Sequence, residues 1–200
     1  MSYIELAATV LGIWATTLSA RRITYTWLVN LVGVTLFAAI FYQAGLYADL
    51  VLQVYYFTMG ILGWLWWNRR AVNHHVQVGY WSPGLPVYML TLVIMAVAVL
   101  GLGYAVNHFH AWMPQWFSQP ATMPYINSVI TVMSITGTYM MGRRWIENWW
   151  LWAFSNPLAA IIYWSNGMAL VSLVFVVFWI IGLMGWYNWQ QEYNKAKQSV

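Results

Sequence analysis

Cysteine is absent from the 200 residues, so the chain holds no disulfide and no thiolate metal site, and its redox compartment cannot be read. Charge is nearly as scarce: four acidic and eight basic residues make up 6% of the sequence. A water-soluble domain carries about a quarter of its residues as charges to cover its surface. This chain cannot cover itself, and its outer surface must face lipid. Phosphate-cradling, metalloprotease and serine-nucleophile motifs are also missing. With no paired carboxylates and no nucleophile–base set, an enzyme is not expected. Residues 1–5 lack the basic start of a signal peptide, so the first apolar stretch is expected to stay as a span.

What is present is apolar and aromatic: 62% of the residues are hydrophobic and sixteen are Trp. A helix needs roughly 20 apolar residues to cross a hydrocarbon core of about 30 Å. Seven stretches meet that length, at about 3–20, 24–42, 47–67, 85–107, 122–142, 145–165 and 168–189. The expectation is an all-α integral membrane protein with seven transmembrane helices in a single domain over 1–200. The basic residues do not form a patch that would suit nucleic acid. They are the doublets Arg21-Arg22, Arg69-Arg70 and Arg143-Arg144, plus Lys195 and Lys197 in a short tail at 191–200. With the N-terminus outside, all of them fall on the cytoplasmic side, as the positive-inside bias requires. The C-terminus is then cytoplasmic.

Sliding the chain on itself by 122 residues aligns Arg21-Arg22 with Arg143-Arg144, Trp27 with Trp149, and Gly60 with Gly182. The same offset pairs Gly63-Trp64 with Gly185-Trp186 and Trp67 with Trp189, and gives sixteen identities between 6–68 and 128–190. An internal repeat is the expected reading. It covers repeat one at 1–68 and repeat two at 122–190, and leaves the fourth helix, 85–107, as an unpaired linker. An odd linker helix orients both triplets alike. The layout is then two parallel three-helix repeats plus one helix, as in sugar transporters of the SWEET type, with solute bound near the midplane between the halves.

The two repeats differ in their polar residues. Asp49 and Gln53 stand where repeat two has Val171 and Phe175, while Asn148, Trp152 and Asn156 stand where repeat one has Thr26, Asn30 and Val34. Asp49, Gln53 and Tyr56 share one helix face with Gly60 and Gly63, and Trp149, Trp152, Asn156 and Tyr163 share another. A carboxylate in a span faces a cavity or a partner; Asp49, close to its helix start, is alternatively a cap at headgroup level. Trp152 beside Asn156 could stack on a flat ring and hydrogen-bond its edge, and a cationic ring would add about 0.5–2 kcal/mol. Glu147 is either a site residue or a local ion-pair partner of Arg143 and Arg144. His74, His75, His108 and His110 lie in loops without carboxylates at ligand spacing, so no metal is expected.

Tyr47-Ala-Asp49-x-x-x-Gln53-x-x-Tyr56 with Gly63-Trp64-x-x-Trp67, and Arg144-x-x-Glu147-Asn148-Trp149-x-x-Trp152-x-x-x-Asn156, resemble the motifs of PnuC-type vitamin transporters. The resemblance spans essentially the whole chain. It implies facilitated diffusion of nicotinamide riboside across the bacterial inner membrane, uptake made one-way by cytoplasmic phosphorylation, and a supply for NAD synthesis. It also implies a homotrimer with one pathway per protomer, and no cofactor. Under it, Trp152 stacks on the pyridinium ring, and Asn156, Gln53 and Asn148 bond the carboxamide or ribose hydroxyls. Thiamine, another flat cationic vitamin, and a role as solute-binding subunit of a larger transport complex stay open as alternatives. The scarcity of acids near the spans predicts transport uncoupled from an ion gradient.

Overall fold

The computed structural model describes residues 3–43, 47–69, 71–72, 74–117 and 120–198, with backbone alone at 41, 47–51 and 72. Among the described residues are seven helices: α1 (Tyr3–Ala20), α2 (Thr26–Gln43), α3 (Tyr47–Asn68), α4 (Leu85–Trp112), α5 (Pro124–Gly142), α6 (Asn148–Ser165) and α7 (Ala169–Gln198). A two-residue antiparallel pair, β1 (Ala71–Val72) and β2 (His75–Val76), separates α3 from α4. Hydrocarbon offers no water to backbone N–H and C=O groups, so a crossing segment must close its own hydrogen bonds, and a helix does so. α1, α4 and α7 are each long and apolar enough on their own to cross a membrane. α4 presents Leu90, Ile94, Val97 and Leu100 more than half exposed, a surface suited to lipid rather than water.

α1 packs on α2 and α2 on α3, while α5 packs on α6 and α6 on α7. The two groups join where α1 meets α7 and α3 meets α5, and α4 leans on α5. Two ends differ from expectation. α4 runs on to Trp112, and the tail continues α7 to Gln198. Residues 190–198 contain no Gly or Pro, and Glu192 pairs with Lys195 at 2.9 Å and with Arg22 at 3.1 Å, which fastens the extra turns to the end of α1.

α1 and α5 end in the same way. Arg22 (φ 62°) and Arg144 (φ 67°) adopt the left-handed conformation. The following N–H reaches back five residues, Ile23 to Leu18 O at 3.0 Å and Trp145 to Met140 O at 3.0 Å. This closes helix-terminal carbonyls that would otherwise lack donors. A non-glycine residue in this conformation costs of order 1 kcal/mol or more, and neighbours hold it there. The connector after α3 pairs with both ends: Thr24 N–H bonds His74 O and Val76 N–H bonds Arg22 O, while Gly79 N–H bonds Arg144 O and Ile146 N–H bonds Gly79 O.

Beneath this strap lie four buried tryptophans, Trp27, Trp67, Trp149 and Trp189. Trp67 Nε1 donates to Met141 O at 3.1 Å and Gly142 O at 3.2 Å; Trp189 Nε1 donates to Ser19 O at 3.0 Å. The rings of Trp27 and Trp149 press directly on glycine backbone. A Cβ at Gly63 would lie 2.4 Å from the Trp27 ring, and one at Gly185 would lie 2.5 Å from the Trp149 ring. Gly63→Ala and Gly185→Ala should therefore each cost about 1–3 kcal/mol through overpacking. Both should melt earlier in detergent, whereas Gly101→Ala, where an added Cβ meets nothing within 4 Å, should not.

Candidate functional site

Between the α1–α3 and α5–α7 groups lies a cavity of about 700 Å3, a size that encloses a small molecule. Trp27 and Trp149 close it on the side of the tryptophan cluster. α3 contributes Gln53 and Tyr56, and α6 contributes Trp149, Trp152, Asn156 and Tyr163. Six residues singled out in the sequence thus meet on one wall surface. Gln53 and Asn156 are buried, 9% and 4% exposed, yet neither side chain hydrogen-bonds another described residue. Their amides are open to the cavity.

Local packing sets each ring. Trp152 lies across Gly137 of α5, where a Cβ would come within 3.2 Å of the indole Cε2 and Nε1. Tyr163 stacks on Phe175 of α7, with centroids 5.2 Å apart and planes at 11°. α3 is fixed against α5 by Tyr55, whose hydroxyl donates to Ile135 O at 2.7 Å; this leaves the next residue, Tyr56, on the cavity wall.

Two expected residues lie elsewhere. Asn148, the first residue of α6, is fully buried and turns its Nδ2 back onto Trp145 O at 2.6 Å. It anchors the start of the helix and does not line the cavity. Glu147 accepts the Trp81 backbone N–H with both oxygens, at 2.9 and 3.0 Å, and the Tyr88 hydroxyl at 3.3 Å. Its carboxylate clamps the connector to α6, away from the cavity. Asp49 sits in the first turn of α3, and its side chain lies outside the described residues.

The sequence reading did not single out Asn30, Asn127, Ser134 or Phe178 as site residues, and all four line the cavity. Asn30 could have been found as the only Asn in an otherwise apolar α2. Ser134 and Phe178 carry no such signal, because small hydroxyls and Phe are ordinary in membrane helices.

No Asp, Glu, Lys, Arg or His is among the described residues lining the cavity. Its chemistry is that of amides, hydroxyls and indoles. Trp27, Trp149 and Trp152 Nε1 are buried without a hydrogen-bond partner among the described residues. Such a wall can stack on a flat ring and exchange neutral hydrogen bonds. It offers no proton-transfer pair, and no metal-binding group of three His, Asp or Glu exists among the described residues.

A family model described as nicotinamide mononucleotide transporter matches residues 2–191. The nicotinamide riboside transporter PnuC of Escherichia coli (strain K12) is 29% identical over 213 residues, covering 96% of this chain and 88% of that protein. The riboflavin/roseoflavin transporter RibM of Streptomyces davaonensis is 24% identical over 203 residues, covering 98% and 88%. The crystal structure of the vitamin B3 transporter PnuC superposes with a TM-score of 0.69 at 19% identity, covering 97% of this chain and 83% of that one.

Glu147→Gln replaces one acceptor oxygen of the Trp81 clamp with a second donor. It should cost about 1–3 kcal/mol, lowering the melting temperature in detergent while solute affinity stays unchanged. A loss of affinity at unchanged stability would instead put Glu147 on the solute.

Proposed function

The chain belongs to the nicotinamide mononucleotide transporter family, and on that premise we propose that it carries nicotinamide riboside across the bacterial inner membrane by facilitated diffusion. It is a multi-pass membrane transporter, not an enzyme.

The observation that carries the substrate reading is that no charged residue is among the described residues lining the cavity. Nicotinamide riboside is a flat pyridinium cation with a carboxamide and a sugar. Aromatic faces stabilise such a cation by about 0.5–2 kcal/mol without a carboxylate. Trp152 supplies the face, and the open amides of Asn156 and Gln53 supply partners for the carboxamide and hydroxyls. The mononucleotide adds a phosphate dianion. Burying that group with no cation on the described wall would cost several kcal/mol. The riboside is therefore the cargo, and phosphorylation in the cytoplasm would trap it for NAD synthesis.

The internal repeat fits this reading as two parallel triplets, 1–68 and 122–190, joined by α4. Supporting it, Trp67 bonds Met141 O while Trp189 bonds Ser19 O; donors and acceptors are each 122 apart, with the triplets exchanged. The left-handed arginines and the Trp–Gly contacts repeat at the same offset. The positive-inside bias sets the N-terminus outside and the C-terminus in the cytoplasm. A homotrimer is proposed with one pathway per protomer, the apolar outer face of α4 being left for lipid or a neighbouring copy.

Tryptophan fluorescence of the purified protein should titrate with nicotinamide riboside and far more weakly with the mononucleotide. Thiamine and riboflavin serve as the competing flat-ring solutes. Trp152→Ala and Asn156→Ala should abolish binding with the fold intact by size-exclusion chromatography; unchanged affinity in both would remove the site assignment. In proteoliposomes the protein alone should support counterflow of labelled riboside. Dependence on a proton gradient would exclude an uncoupled carrier, and absence of flux would favour a binding subunit.

A further inference from the structure

We propose that the gap between Asn30 and Ala15 is the sugar subsite, and that Asn30 distinguishes a riboside from a bare pyridinium ring. The proposal rests on the nicotinamide riboside reading and deepens it.

The gap appears when positions 122 apart are compared. On one side, the Trp152 indole reaches from α6 to α5 and roofs Gly137, which does not line the cavity. The positions 122 earlier are Asn30 on α2 and Ala15 on α1. An amide stands in place of the indole and a methyl in place of the glycine hydrogen, and both residues line the cavity. Each of the two residues lies beside a glycine of the repeat: a Cβ at Gly60 would meet Asn30 Nδ2 at 3.6 Å, and one at Gly182 would meet Trp152 Cβ at 3.9 Å. Only the indole is missing, and it leaves space on the α1–α2 wall for a compact group such as a five-membered sugar ring.

The groups around that space suit hydroxyls. The Asn30 amide hydrogen-bonds no other described residue and offers both a donor and an acceptor. Thr16 lines the cavity one turn from Gly12 and donates its hydroxyl proton to Gly12 O at 2.9 Å, which leaves its oxygen lone pairs free to accept. Vicinal sugar hydroxyls need both kinds of partner. The cationic ring then stacks on Trp152, with Asn156 and Gln53 at its edge, and the sugar extends toward α1 and α2.

The test is calorimetric titration with two probes, nicotinamide riboside and 1-methylnicotinamide, which keeps the cationic ring and carboxamide but has no sugar. Asn30→Ala should weaken riboside binding about tenfold and leave 1-methylnicotinamide unchanged. Trp152→Ala should abolish binding of both. The double variant Ala15→Gly/Asn30→Trp rebuilds the indole-on-glycine packing already present at 152 and 137. It should fold, lose riboside binding and keep 1-methylnicotinamide. An unchanged affinity ratio in Asn30→Ala, or riboside binding retained by the double variant, overturns the proposal. Failure of the unmodified protein to bind nicotinamide riboside overturns the substrate reading instead.

Discussion

The Trp67 and Trp189 indole N–H groups each donate to a carbonyl at the last turn of a helix in the opposite group. In a bilayer, lipid tails are as apolar as leucine, so helices gain no hydrophobic drive to associate and depend on close packing and hydrogen bonds. Ser19 O and Met141 O already accept the Arg22 and Arg144 N–H at 2.9 Å, so there the indoles take a second lone pair, while Gly142 O takes its donor from Trp67. These bonds work because Gly63 and Gly185 let Trp27 and Trp149 press on bare backbone beside them. The helices are thus pinned together at one end. The cavity is the space left between them above that pin, and Trp27 and Trp149 belong to both structures.

A shared frame need not give equal walls. At five pairs of cavity positions 122 apart, one member carries an N–H or O–H side chain and the other does not: Ser134 and Gly12, Asn156 and Val34, Gln53 and Phe175, Tyr56 and Phe178, Ser19 and Met141. In the first four the polar member sits on α3, α5 or α6; in the fifth it is Ser19 of α1. The α7 side is the apolar one, with Phe178 lying 3.4 Å from where a Gly12 Cβ would be, while Thr16, Thr26 and Asn30 keep the α1–α2 side polar. Because the packing residues recur at the offset and most of these wall residues do not, the frame can stay constant while the cargo face is set independently.

The helices were legible because long apolar runs are the strongest signal a membrane chain carries. Part of the candidate site was legible too, because a polar side chain in such a run stands out; Gln53 and Asn156 stand out that way and line the cavity. Asn148 stands out for the same reason but does not line it. Its Nδ2 is used locally on Trp145 O, and spacing cannot distinguish an anchor from a cavity residue. Glu147 was read as a site residue or as an ion-pair partner of Arg143 and Arg144, but it accepts from Trp81, 66 residues away, and from Tyr88, brought in by a connector with no periodicity to read. Trp152 alone could not reveal the gap opposite it. That gap became visible only through Gly137 and Ala15, whose roles depend on what covers them.

The absence of charge from the described wall also bears on energetics. A monovalent cation crossing a bilayer gains about 2.3 kcal/mol per 100 mV of inside-negative potential, which corresponds to about fiftyfold accumulation at equilibrium. A carrier of the proposed cargo therefore concentrates it without binding a proton or sodium ion. That gain belongs to the cargo alone: any charge on the mobile site is carried back when the empty carrier returns, so it alters the separate half-steps and not the accumulation at equilibrium. A carboxylate in the site would act instead on release, because it would hold the cationic cargo on the inner side. Aromatic faces and amides bind the ring without that hold, so the absence of charge from the described wall favours release.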